Sequence, residues 1–222
     1  MEDSIDLSQI PGGWADTGRA EAFSDAVLAI IITLLVLDLR PPEFSPGELW
    51  IGLLQQWPTY LAYVTSYLYV GVVWTNHKAA FRRIRYIDRG LHWANLGILF
   101  TTALLPFPTA VIAKAMQHGN RADERTAVAL YALIGALLCA SWLIFFRYLS
   151  RHPDLLEKGV GKRFFQMEQN RAWTGIALYS IAGLLGYGIT PAVALAVFLI
   201  LPVFYGITSE GLYGLPALIH PH

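Results

Sequence analysis

The sequence predicts an all-α membrane protein with six transmembrane helices. Of its 222 residues, 55% are apolar and only 14% are charged, whereas soluble domains carry about 25% charged residues. The mean hydropathy is +0.45. The 16 basic and 16 acidic residues cancel, which argues against a nucleic-acid-binding protein. A single cysteine, Cys139, excludes a disulfide framework and lies in an apolar run, so we expect a buried thiol.

Six apolar stretches define the expected spans, because each approaches the roughly 20 residues that cross a bilayer. The proline at position 191 separates the last two stretches, since proline interrupts a helix. An acidic start to the chain predicts no signal peptide. In chain order, the stretches cover residues 23–39, 57–74, 91–112, 127–146, 172–189 and 191–207.

The positive charges predict an orientation, because lysine and arginine near span ends remain in the cytoplasm. They concentrate after spans two and four, which places both termini in the cytoplasm. We therefore expect a cytoplasmic N-terminal segment (1–18), a transmembrane domain (19–209) and a cytoplasmic C-terminal tail (210–222). The cations after span two are Lys78, Arg82, Arg83, Arg85 and Arg89; those after span four are Arg147, Arg151, Lys158, Lys162, Arg163 and Arg171.

The first span has two distinct faces. At about 100° per residue, Ile30, Thr33, Leu34 and Leu37 share one face, and Asp25 points away from it. This division predicts one face for a partner or pore and another for packing inside the subunit. Lipid contact would also suit the apolar side chains, and Thr33 could simply bond a carbonyl in the preceding turn.

Asp25 needs a hydrogen-bonding partner, because an unpaired carboxylate inside an apolar run is costly. His77 and Asn95 lie near the cytoplasmic ends of spans two and three and can bond a carboxylate. Trp74 and Trp93, next to them, are expected to anchor the helices at the membrane interface.

These residues resemble the transmembrane protein 175 family of potassium channels. The resemblance rests on Arg19 followed by Phe23, Ser24 and Asp25, and on the apolar run to Leu37. The segments 74–77, 95–96 and 104–109 are similar to that family's second and third helices. The resemblance is dense from residue 19 to residue 109.

The resemblance implies a homotetramer in a bacterial inner membrane, with the first helix of each subunit lining a central pore. Ile30 would form the narrowest apolar ring, Thr33 a hydroxyl layer and Leu37 a second apolar ring, with Leu34 on the same face. Potassium would permeate with modest preference over sodium, and neither a cofactor nor a bound metal is implied. Arg19, Phe23, Ser24, Asp25, His77 and Asn95 would form a network that holds the pore helix.

The sequence bears on two other classes of membrane protein. A secondary transporter of a small cation or solute remains the alternative, although the later spans carry almost no charge at their midplane. An enzyme is not expected, because the six histidines are scattered over different loops rather than paired with a nucleophile or a carboxylate.

Overall fold

The computed structural model describes residues 15–208, which are mostly helical. The C-terminal tail predicted at 210–222 and most of the N-terminal segment predicted at 1–18 lie outside these residues. The helices are α1 (Gly18–Leu35), α2 (Leu49–Gln55), α3 (Trp57–Phe81), α4 (Arg89–Ala103), α5 (Pro106–His118), α6 (Arg121–Arg151), α7 (Lys162–Gly188) and α8 (Pro191–Thr208). A 3-10 turn, Val36–Asp38, extends α1, and two short strands, β1 (Ala15–Asp16) and β2 (Tyr86–Ile87), form an antiparallel pair.

Local sequence signals explain where several helices begin and end. The Asp88 carboxylate accepts a hydrogen bond from the Leu91 amide and caps α4. Asn120 caps α6 in the same way. Helix α5 ends at His118, and Gly119 follows with a φ of 65°. Glycine adopts this left-handed conformation at little energetic cost. Proline begins α5 and α8, where its missing amide hydrogen is not needed.

Three helical segments are long and apolar enough to cross a membrane: Gly18–Asp38, Arg89–His118 and Arg121–Arg151. A shorter apolar helix covers Pro191–Ile207. The third expected span, 91–112, is divided between α4 and α5, because the chain turns at Leu104 and Leu105 before Pro106. The fold is thus helical with several apolar helices, and the count of six spans stays a prediction.

The segments at one end of the helical bundle are joined by backbone hydrogen bonds. β1 pairs with β2, and Ile84 forms a β-bridge with Leu156. The Arg85 amide donates to the Leu155 carbonyl at 2.8 Å. β1, just before α1, therefore lies on the same side as the basic loops that follow α3 and α6.

Small residues allow α7 to approach its neighbours closely. A Cβ added at Gly135 of α6 would lie 2.5 Å from the Tyr179 ring, and one at Gly183 would lie 2.6 Å from the Ala132 methyl group. Close backbone approach of this kind is a common way to associate helices in a membrane. Cys139, also on α6, is buried against α8.

Candidate pore helix and its supporting network

The candidate functional site is helix α1, which exposes an apolar stripe along its length. Ile30 is 58% exposed and Leu37 is 65% exposed, and both Leu34 and Thr33 are also exposed. The Thr33 hydroxyl donates to the Ile30 carbonyl at 2.8 Å. This bond uses the hydroxyl hydrogen and leaves the oxygen free to act as an acceptor. The four residues predicted to share a face are thus all exposed in a single chain. We call them the α1 stripe.

The opposite side of α1 is buried against its own subunit. Leu28, Ile31 and Leu35 are almost fully buried, and α1 packs on α3 and α4. Even so, only 28% of the residues in the most apolar part of this segment are buried, against 50% in each of the other two long apolar segments. Among these three segments, the one that contains α1 is thus the least covered by its own subunit.

A buried chain of hydrogen bonds fastens α1 to α4 and α3. The Asn95 amide nitrogen donates to the Ser24 hydroxyl at 2.9 Å, and Ser24 donates in turn to the Ala20 carbonyl. The Asn95 carbonyl oxygen lies 2.9 Å from His77 Nε2. Because that oxygen can only accept, Nε2 carries the hydrogen and donates. All three side chains are at least 98% buried, so the bonds are shielded from competing water.

Asp25 has a different partner from the ones expected. The Trp74 indole nitrogen donates to its carboxylate at 2.9 Å, while His77 and Asn95 bond along the chain to Ser24. The expectation that Asp25 pairs with His77 or Asn95 is therefore corrected. Trp74, expected only to anchor the helix, therefore also donates a hydrogen bond to one carboxylate oxygen of Asp25.

Two of the six residues predicted for the network lie apart from these bonds. Arg19 is exposed, and among residues 15–208 it has no hydrogen bond or ion pair. Phe23 is also exposed and lines an apolar hollow with Trp93, Leu96 and Phe100. The structure of one chain thus brings together Ser24, Asn95 and His77, and separately Asp25 and Trp74.

The described residues contain no group of three histidine, cysteine, aspartate or glutamate side chains placed to hold a metal ion. The polar groups near α1 instead bond to one another, which suits a structural role. What the α1 stripe offers chemically is a row of alkyl groups interrupted by one hydroxyl. Such a surface can exclude water.

Comparison with known proteins gives this geometry a context. The family model described as the endosomal/lysosomal potassium channel TMEM175 matches residues 19–106. A potassium channel of Streptomyces collinus is 35% identical over 192 residues, which cover 86% of this chain and 92% of that protein. The chain belongs to the TMEM175 family. The resemblance noted in the sequence is confirmed, and the TMEM175 family is one of ion channels rather than enzymes.

The fold agrees with this membership. A crystal structure of a lysosomal potassium-selective channel TMEM175 homolog from Chamaesiphon minutus matches with a TM-score of 0.74 at 31% identity, covering 87% of this chain and 97% of the homolog. The endosomal/lysosomal proton channel TMEM175 of Homo sapiens is 29% identical over 183 residues, which cover 78% of this chain but only 35% of the human protein. The chain thus matches nearly the whole of the Streptomyces and Chamaesiphon relatives and about a third of the human protein.

Proposed function

We propose that the chain is one subunit of a homotetrameric, potassium-permeable cation channel in a bacterial inner membrane. The observation that carries the proposal is the α1 stripe, an apolar face on a helix whose other face is anchored by buried hydrogen bonds. The potassium channel named in Streptomyces collinus supports the choice of ion.

Four copies of the stripe around a common axis would form a narrow, apolar pore. An apolar constriction gates by dewetting, because water and ions leave a narrow hydrophobic passage until it widens. Ile30 would be the narrowest ring and Leu37 the second, one towards each end of the stripe. Leu34 lies on the same face between them.

Thr33 would supply the polar contact in this pore. With its hydroxyl hydrogen bound to the Ile30 carbonyl, the oxygen can turn lone pairs towards a passing cation. One hydroxyl per subunit replaces little of an ion's hydration shell, so we expect only modest selectivity for potassium over sodium.

The proposed topology has six spans, α1, α3, α4 with α5, α6, α7 and α8, with both termini in the cytoplasm. The pairing of β1 with β2 supports it, because the N-terminal end of α1 shares a side with the arginine-rich loops. Positively charged loops are retained in the cytoplasm.

The test is current across a planar bilayer that contains the purified protein, with potassium on one side and sodium on the other. We expect unitary steps and a reversal potential shifted towards potassium. Ile30→Asn should hydrate the constriction and raise ion flux. Ile144→Asn is the matched control, because Ile144 is 61% exposed on α6 and lies on no proposed pore.

The same experiment separates a channel from a secondary transporter of a small cation or solute. A transporter would show saturable, substrate-driven flux without unitary steps. If Ile30→Asn and the unsubstituted chain assemble normally and give the same ion flux, α1 is not the pore helix.

A further inference from the structure

The segment between α1 and α3 presents a second apolar surface, which the proposed pore does not use. Its exposed side chains are Trp50, Ile51 and Leu54 from α2, and Trp57 at the start of α3; Trp50 alone is 70% exposed. Trp50 and Leu54 are four residues apart and so lie one above the other on the helix. We call these four residues the α2 ridge.

Trp50 is the most exposed residue of the α2 ridge, whereas Ile51, Leu54 and Trp57 also line an open hollow with Pro42 and Gln117. The opposite side of α2 is occupied by Gly52, which is buried and approaches Pro42 so closely that an added Cβ would lie 3.2 Å from the proline ring. The ridge therefore cannot turn inwards without separating α2 from Pro42. Its apolar groups must be covered by something outside the subunit.

The position of α2 places the ridge at the end of the bundle opposite the basic loops. α1 begins beside β1 and runs away from that end, and α2 follows after the 3-10 turn and a loop, residues 36–48. Only Gln56 separates α2 from α3, so the ridge lies where α3 enters the bilayer. Residues 49–58 contain no charged side chain.

From this placement we infer that the α2 ridge inserts into the outer headgroup region of the lipid bilayer. Tryptophan is enriched at this depth, because its ring is apolar while its indole N–H still needs a polar partner. Among residues 15–208, the indole N–H groups of Trp50 and Trp57 have no protein acceptor. Phospholipid carbonyls, phosphates and interfacial water would provide one.

The anchor is connected to the end of α1. The Gln56 side-chain amide donates to the Arg40 carbonyl at 3.0 Å, and Gly52 packs on Pro42. Both contacts lie within a few residues of the turn that carries Leu37. If α1 is the pore helix, a point that rests on the proposed function, the lipid interface positions the outer end of the pore through α2.

Cys139 is the single cysteine of the chain. Replacing it with alanine leaves an introduced cysteine as the one site for a thiol-directed label. In a Cys139→Ala background, Trp50→Cys is labelled with a nitroxide and reconstituted in vesicles of phosphatidylethanolamine and phosphatidylglycerol. Collision of the nitroxide with oxygen, which is concentrated in lipid, is compared with collision with a water-soluble nickel chelate. Leu54→Cys is the second ridge position, and Ser45→Cys, exposed in the preceding loop, is the aqueous control.

We expect oxygen to exceed nickel at positions 50 and 54, with the opposite order at position 45. Nickel exceeding oxygen at both ridge positions would place the ridge in water and overturn the inference. Low collision with both reagents would mean that protein, such as a second copy of the chain, covers the ridge, and would also overturn it. The measurement requires no ion flux, so failure of the channel proposal would leave its result readable.

Discussion

Replacing Asn95 with alanine tests the buried chain that holds α1 to its subunit. Asn95 is 2% exposed and forms two side-chain hydrogen bonds, one with Ser24 on α1 and one with His77 on α3. The substitution removes both and leaves the His77 Nε2–H without an acceptor. His77 Nδ1 already lacks a hydrogen-bond partner, so the imidazole would become entirely unpaired.

The expected cost follows from these contacts. A typical hydrogen bond contributes about 1 kcal/mol, and an unsatisfied buried group costs about 1–3 kcal/mol. Asn95→Ala should therefore lower the free energy of unfolding by roughly 2–4 kcal/mol. Ser24→Ala removes the bond with Asn95 and the local bond to the Ala20 carbonyl but keeps the bond between His77 and Asn95, and it should cost less than Asn95→Ala. A double variant, Asn95→Leu with His77→Phe, should cost less than the sum of its parts, because it removes both members of a polar pair.

The assay is the Tm of the assembled protein in detergent, followed by the loss of its assembled peak in size-exclusion chromatography. A loss of 3 kcal/mol corresponds to a decrease of roughly 6–12 °C for a chain of this size. Ser141→Ala is the control, because Ser141 also receives a side-chain hydrogen bond but is only partly buried. If Asn95→Ala lowers Tm no more than Ser141→Ala does, the buried chain does not hold α1, and the reasoning fails.

Three further outcomes are expected. Thr33→Val should lower the preference for potassium over sodium, measured as a smaller shift in reversal potential, whereas Thr33→Ser should keep it; an unchanged shift in the valine variant would exclude the hydroxyl from selectivity. Trp74→Phe should leave the Asp25 carboxylate without its indole donor and cost about 1.5–3 kcal/mol, and Trp74→Phe combined with Asp25→Ala should recover part of the lost Tm. Gly183→Leu should disrupt the packing of α7 on α6 and prevent assembly. Gly188→Ala is the control and should assemble normally, because an added Cβ there meets no atom within 4 Å. Equal assembly of both variants would show that the close approach of Gly183 to α6 is dispensable.

The faces of α1 were predictable from the sequence because they depend only on helical periodicity. Once residues 18–35 form a helix, the angles between Ile30, Thr33 and Leu34 follow from the backbone alone. The exposure of these side chains in the structure agrees with that geometry. Leu37 is exposed too, although it lies in the 3-10 turn that follows α1.

The partner of Asp25 was not predictable in this way. Trp74 is 49 residues distant along the chain, and its contact with the carboxylate depends on how α3 is rotated against α1. His77, one turn away, has a more obvious polar side chain, yet its ring stacks on Phe81 at 4.2 Å and turns to Asn95. Hydrogen-bonding capacity identified the candidates, but packing decided among them.

The hydropathy of the sequence did not predict the helical segments that lie outside long apolar stretches. α2 has seven residues, too few for a span, and was not expected. α7 begins at Lys162, ten residues before the apolar stretch predicted at 172, because a helix can continue through charged residues outside the lipid. Apolar length marks the membrane core, whereas backbone hydrogen bonding sets where the helix begins.

Helix α1 is restrained at both of its ends. At one end β1 is bonded to β2, and at the other Pro42 is wedged against Gly52. A helix restrained at both ends has little freedom to slide along the membrane normal or to move outwards as a rigid body. The movements left to it are twisting about its long axis and bowing at its middle, close to Ile30. A small rotation of α1 would move the Ile30 side chain away from the axis of the proposed pore and bring the exposed Ala26 or Ala29 towards it. Such a rotation would change the pore diameter without moving the subunits.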